Sequence, residues 1–326
     1  MRSVGVRLVW AALGGLVLWG CGVRGVVQKG SEVEGPRGSL FIVGGGARPP
    51  ELMRAALDAA GWLPGDSVAF VGWASEEPDS ALFYSMRSFA AAGCSTLRGI
   101  SNPPTQADLD LLGRTKLVWF GGGDQTRLIA ASRAAGMDEV WHAALDRGAL
   151  LGGTSAGAAV MSAKALTGDQ RRVPEYSASY GNILTDNAIY TEGFGLLDAF
   201  GFRAIVDQHF IARSRFDRAL TALADHPGYE VWGIDEATAV LVRPSRCGGS
   251  PCAVAQVVGA GQTVRFHTPC GHRPPLDSLV RLRGVFIDVL AAGDTVALTR
   301  APAPRSDRAA KLGAPDSTRL PSWSPD

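Results

Sequence analysis

The sequence predicts an α/β protein: a mainly parallel sheet flanked by helices, ending in an antiparallel strand region. Three observations predict it. From residue 39 onward, short apolar runs alternate with segments of helical spacing, the pattern of βαβ units. The runs are continuously apolar, as strands buried on both faces are. Several end in glycines, which turn a chain tightly at strand ends, and the chain holds 41 glycines.

Taken in order, "SLFIVGGG" reads as a buried strand and "PPELMRAALDAAG" as a helix, with Pro at its start and Gly61 at its end. "SVAFVGWA" is a second strand and "DSALFYSMRSFAAAG" a helix. "STLRGI" is a shorter strand, and "TQADLDLLGR" a helix that Thr105 can cap. "KLVWFGGG" and "DQTRLIAASRAAG" repeat the pair, and a helix over 138–148 leads into the strand "ALLGG". A helical run follows Ser155 at once. Beyond residue 230, "YEVWGID", "ATAVLVRP", "AVAQVVG", "TVRFHT", "LVRLRGVFIDVL" and "DTVAL" read as strands joined by tight turns.

Composition and the chain ends bound the function. The 326 residues are 46% hydrophobic and 19% charged, with formal net charge +1. That balance excludes a strong field for nucleic acid. Arg2 and Arg7 precede the apolar run of residues 8–20, which ends in "LWGC". A positive stretch followed by a short apolar one is a secretory signal, and Cys21 stands where bacterial lipoproteins carry their lipid. Residues 1–21 are therefore expected to be a lipoprotein-type signal peptide and 22–38 a linker. Residues 39–300 are expected to form the folded domain, and the Pro-, Ser- and charge-rich 301–326 a disordered tail. The expectation is an exported protein tethered to a membrane. Cys247 and Cys252 flank the turn "GGSP" and are expected to join as a disulfide. Nothing in the cysteine and histidine spacing points to a metal site.

Gly-rich turns fall at Gly44–Gly46, Gly121–Gly123 and Gly152–Gly153, at the expected C-terminal sheet edge where open α/β sheets bind ligands. None fits a dinucleotide fingerprint or a phosphate loop, and no cofactor is implied. Gly153-Thr154-Ser155-Ala156-Gly157 fits G-x-S-x-G between a strand and a helix, a corner that exposes a serine hydroxyl beside helix N-terminal N–H groups. A tight turn with a capping serine is the competing reading. The hydroxyl needs a base. Of five histidines, His209 alone ends an apolar strand-like run, in "AIVDQHF". His142, mid-helix among charges, reads as solvated. His226 reads as a turn residue, and His267 and His272 as loop residues. Glu236, in "WGIDEATAV", is the candidate acid for His209, with Asp235 pointing elsewhere if the segment is extended. The order Ser, His, Glu argues against the α/β-hydrolase fold, whose histidine comes last.

"FGGGDQTRLI", "GGTSAGAAVMS", "VDQHFIARSRFDRAL" and "GIDEATAV", in this order, resemble the cyanophycinase-like serine peptidases, relatives of dipeptidase E. The resemblance runs from about residue 39 to 299. It implies a fold similar to class I glutamine amidotransferases, with Ser155 as nucleophile, His209 as base and Glu236 as its acid. Oxyanion donors would be backbone N–H groups at Gly122, Gly123 and Ala156. Gln125, Asp207, Gln208, Arg213, Arg215 and Arg218 match positions that line the family's substrate pocket. Guanidinium groups suit bidentate capture of a carboxylate. Asp124 is as readily a helix cap. The implied partner is a peptide substrate, cyanophycin or a short Asp-containing peptide, and family members are often homodimers. Asp186, Asp198 and Asp207 stay open as alternatives to Glu236. A non-catalytic exported binding protein on the same fold is the rival class. The long connection over 164–195, with Arg171, Arg172, Glu175, Tyr176 and Tyr180, departs from the family pattern and is read as a lid or specificity loop.

Overall fold

The chain begins its described course with β1 (Ser39–Val43), α1 (Pro50–Ala59), β2 (Val68–Val71), α2 (Pro78–Ala91) and β3 (Leu97–Gly99). The computed structural model describes residues 35–171, 183–248, 250–268 and 279–298. Next come α3 (Gln106–Leu112), β4 (Leu117–Phe120), α4 (Gln125–Ala134), α5 (Asp138–Arg147) and β5 (Leu150–Thr154). Thr105 caps α3 in a reciprocal capping box with Asp108, and Gly148 ends α5 in the left-handed conformation. The helical run expected after Ser155 is a single turn, α6 (Ala156–Ala159), after which the chain extends into β6 (Lys164–Gln170) and β7 (Ala188–Glu192). There follow β8 (Ala204–Gln208), α7 (Phe216–Asp225), β9 (Glu230–Ile234), β10 (Thr238–Cys247), β11 (Ser250–Gly259), β12 (Thr263–His267), β13 (Phe286–Leu290) and β14 (Thr295–Leu298).

Eight strands form the main sheet, in the order β14-β11-β10-β1-β5-β4-β2-β3. The half from β1 to β3 is parallel, and β10, β11 and β14 join antiparallel. This is the mainly parallel sheet with an antiparallel end that the sequence predicts. Alternate residues of β1 divide between its faces. Phe41 and Val43 pack with α1 and α2 around Phe70, Phe89 and Trp119. Leu40 and Ile42 pack on the other side with Phe120, Leu128 of α4 and Trp141 of α5. Trp119, Trp141 and Phe120 are wholly buried; burying an aromatic or large aliphatic side chain stabilises by about 1.5–3 kcal/mol each.

β8 does not join this sheet. It lies in a second, four-stranded sheet of order β13-β12-β9-β8, so the strand leading to His209 comes from outside the main sheet. Val206, Trp232 and Ile234 face the main sheet's core, whereas Ile205 and Val231 pack on α7. The second sheet thus rests on the main one through a shared core, which carries the end of β8 to the end of β5. Two further expectations are corrected. Gly152 and Gly153 lie within β5 rather than in a turn. His142 is half-buried and hydrogen-bonds through Nε2 to the Phe194 carbonyl at 2.8 Å, because α5 turns that face toward the chain after β7.

Cys247 and Cys252 form a disulfide near the tip of the β10–β11 hairpin, and Cys94 is free and buried. The expected signal peptide, Cys21, most of the expected linker, Cys270, His272 and residues 301–326 lie outside the described residues. So do Arg172, Glu175, Tyr176 and Tyr180 of the 164–195 connection.

Candidate active site

Ser155 sits at the corner where β5 passes into α6, with φ 54° and ψ −113°. A side-chain-bearing residue in such a region costs about 1–3 kcal/mol and is held there by its surroundings. The Ser155 N–H donates to the Val43 carbonyl at 3.1 Å, and the N–H groups of Ala158 and Ala159 donate to the Ser155 carbonyl. Two glycines make the corner possible. A Cβ at Gly153 would collide with the Gly157 carbonyl, and one at Gly157 with the Phe120 carbonyl. The small residues of the G-x-S-x-G pattern are therefore a packing requirement between β4, β5 and α6.

His209 follows β8 with φ 49°, its N–H donating to the Gly44 carbonyl at 2.7 Å. Glu236 lies in the turn between β9 and β10, and Ala237 N–H donates to the Gly45 carbonyl at 3.0 Å. The glycine turn after β1 is the floor on which both side chains rest. A Cβ at Gly45 would strike the His209 imidazole, and one at Gly46 the Glu236 side chain. His209 Nδ1 lies 2.5 Å from Glu236 Oε1, and His209 Nε2 lies 3.0 Å from Ser155 Oγ. A carboxylate accepts from Nδ1–H and so fixes the tautomer, leaving Nε2 to accept from the serine hydroxyl. Burial holds the His209 imidazole below its ordinary pKa; the Glu236 hydrogen bond opposes this, and Arg213 and Arg215 add to the lowering.

Gly122 adjoins the serine: a Cβ built there would lie 3.4 Å from Ser155 Cβ. Among the described residues, no hydrogen bond engages the N–H groups of Gly122, Gly123 or Ala156.

A cleft of about 270 Å³ opens at Ser155, lined by Gly123, Gln125, Gln208, Arg213, Arg215 and Arg218 among others. Arg213 and Arg215 reach one cleft because the chain between β8 and α7 is an irregular turn, with Ser214 at φ 50°. Arg213 is exposed, whereas Arg215 and Arg218 are buried. Gln125 is also buried, its Nε2 donating to the Leu166 carbonyl at 2.7 Å, while Asp124 caps α4 through Thr126 N–H at 2.7 Å.

Asp207 is the site expectation that the geometry revises. It is fully buried and does not line the cleft. Its carboxylate instead takes Arg218 Nε at 2.7 Å, Arg218 Nη2, and Arg215 Nη1 at 3.3 Å. Arg215 Nη1 also donates to Gln208 Oε1 at 2.8 Å. Period-two alternation along β8 sends Asp207 inward beneath the arginines it positions. Asp186 pairs with Arg171 at 3.4 Å, and burial raises the Asp198 carboxyl pKa, so neither replaces Glu236 as the partner of His209.

Two contributions went unread in the sequence. Gly45 and Gly46 clear space for the imidazole and the carboxylate. Asp235 Oδ1 accepts the N–H groups of Ile211 and Ala212, at 3.1 and 2.9 Å, and fixes the turn behind His209. Thr167–Asp169, within the connection read as a lid or specificity loop, form another wall of the cleft. The run of three glycines after a buried strand was the available signal for the first.

A serine, an imidazole and a carboxylate in hydrogen-bonded series, on a strand-to-helix corner, define the constellation of serine-type hydrolases. Residues 40–247 match peptidase family S51, and the chain belongs to that family. Over 125 residues it is 36% identical to the cyanophycinase of Geminocystis herdmanii, a match spanning 38% of this chain and 42% of that protein. Over 132 residues it is 34% identical to the cyanophycinase of Synechococcus elongatus, spanning 40% of this chain and 37% of that one. The match therefore covers less than half the length of these curated relatives. The crystal structure of a peptidase from an acI-B1 Actinobacterium shares the fold with TM-score 0.53 at 21% identity, over 81% of this chain and 98% of that one.

Proposed function

We propose that the protein is a serine-type peptidase that cuts the aspartyl backbone of β-aspartyl-arginine polymers through an acyl-enzyme on Ser155, releasing units whose β-Asp-Arg isopeptide link stays intact. The observation that carries this reading is the series Ser155 Oγ, His209 and Glu236 at 3.0 and 2.5 Å. In this mechanism Ser155 Oγ attacks the scissile carbonyl as its proton passes to His209 Nε2. The oxyanion is received by the N–H groups of Gly122, Gly123 and Ala156. The imidazolium then protonates the leaving amine, and its C–N bond breaks. Water, giving a proton to Nε2, attacks the ester, and the returning proton releases Ser155.

The substrate assignment draws on the cyanophycinases among the relatives and on the three arginines at the cleft. Cyanophycin, a poly-aspartate backbone bearing arginines, offers carboxylates to such groups. Export and a lipid on Cys21 belong to the same proposal, supported by the leader pattern of residues 1–21. Incubating the purified protein with cyanophycin tests the substrate. β-Asp-Arg should be released by wild type and at least about tenfold more slowly by Arg213→Ala, the loss expected for one charge-assisted hydrogen bond. No release by wild type would remove this substrate.

A further inference from the structure

β6 does not run evenly beside β7. Its pairing is regular from Lys164 to Leu166 and shifts before Gln170, so Thr167, Gly168 and Asp169 bulge out of the ladder. Bulges re-aim side chains and gather beside active sites. This one is pinned by two residues of the cleft. Gln125 Nε2 donates to the Leu166 carbonyl at 2.7 Å, and Arg218 Nη1 to the Thr167 carbonyl at 3.2 Å. Within the bulge, Asp169 N–H donates to Thr167 Oγ1 at 3.2 Å. The three bulged residues line the cleft that holds Ser155.

Asp169 therefore brings an acid to a cleft whose arginines come from a different element. Its side chain is exposed, and among the described residues it enters no ion pair. The other cleft acid, Asp124, is already occupied in capping α4. A cleft with guanidinium groups on the turn after β8 and a carboxylate on β6 is matched to a ligand carrying both charges. The two together would fix its direction, as a single charge cannot.

We propose that Asp169 is a specificity-determining residue that receives a cationic nitrogen of the substrate, a guanidinium or an ammonium. The proposal rests on the reading of this cleft as the peptidase site, and not on cyanophycin being the polymer cut.

Its test is binding to the Ser155→Ala protein, which separates recognition from turnover. β-Asp-Arg is titrated against β-Asp-citrulline, which replaces guanidinium by neutral urea, and against N-acetyl-β-Asp-Arg, which removes the ammonium. The Ser155→Ala protein should bind β-Asp-Arg about tenfold more tightly than at least one neutral counterpart. Adding Asp169→Asn should abolish that preference, and Asp169→Glu should retain it. An equal loss for charged and neutral peptides, an unchanged preference in Asp169→Asn, or no binding of any of the three overturns the proposal. Fluorophosphonate labelling of wild type reports separately on the nucleophile, so a failure of the peptidase reading is recognised independently.

Discussion

Four non-glycine residues of the site hold positive φ: Ser155, His209, Ser214 and Ala237. Each stands where a side chain or its neighbour must be aimed, at the nucleophile, the base, the arginine turn and the residue after Glu236. Such strain, about 1–3 kcal/mol apiece, persists only where surrounding contacts over-determine it. The charges act at this scale too. Since burial and two arginines lower the His209 pKa, the neutral base persists further into acid than an ordinary histidine. Activity is lost as pH falls through the folded-state value. The acid limb of the fluorophosphonate labelling rate should therefore have its midpoint below 6.5, the ordinary value. Arg213→Gln removes a cation that disfavours the imidazolium, so its midpoint should move upward. A midpoint that stays put would show that Arg213 does not act on His209.

At the scale of elements, the site is made by five turns meeting: β1 to α1, β4 to α4, β5 to α6, β8 to α7, and β9 to β10. Their glycines are packing requirements, so substitutions there should act on stability and chemistry together. Gly157→Ala places a Cβ against the Phe120 carbonyl and should cost about 1–3 kcal/mol while abolishing labelling of Ser155. Gly168→Ala, where a Cβ meets nothing within 4 Å, should leave the thermal midpoint unchanged. Thermal unfolding of the two variants checks this. The elements through β5, the strand β8 and the strands from β9 onward were legible because apolar runs and helical spacings are local signals, whereas β6, β7 and α7 went unread. The G-x-S-x-G corner was legible as well, its small residues reflecting contacts that span only β4 to α6. The β6 bulge was not, since a register shift depends on the partner strand and leaves no composition of its own.

At the scale of the whole molecule, the site depends on two sheets sharing one core. The sequence predicts the strand ending at His209 but not the sheet it belongs to. Strand order depends on which apolar faces find each other across the chain, and the alternation of Ile205 with Val206 is compatible with either sheet. Asp207, which the family resemblance assigns to the substrate pocket, is the buried counter-charge of Arg215 and Arg218. Removing such a charge strands its partners, so Asp207→Ala should destabilise by about 3–5 kcal/mol, measured by denaturant unfolding. A loss within 0.5 kcal/mol, of the kind typical of surface changes, would contradict that role. Ser155, His209 and Glu236 were legible as separate candidates because each follows an apolar run, and the fold brings them within hydrogen-bonding distance. The account's central claim is that this series makes Ser155 a nucleophile. Its most direct measurement is the intact mass of the protein after exposure to a fluorophosphonate, with the adduct mapped by peptide digestion. Wild type should gain one adduct on Ser155, and Ser155→Ala and His209→Ala should gain none; an unlabelled wild type, or an adduct that survives Ser155→Ala, would contradict the claim.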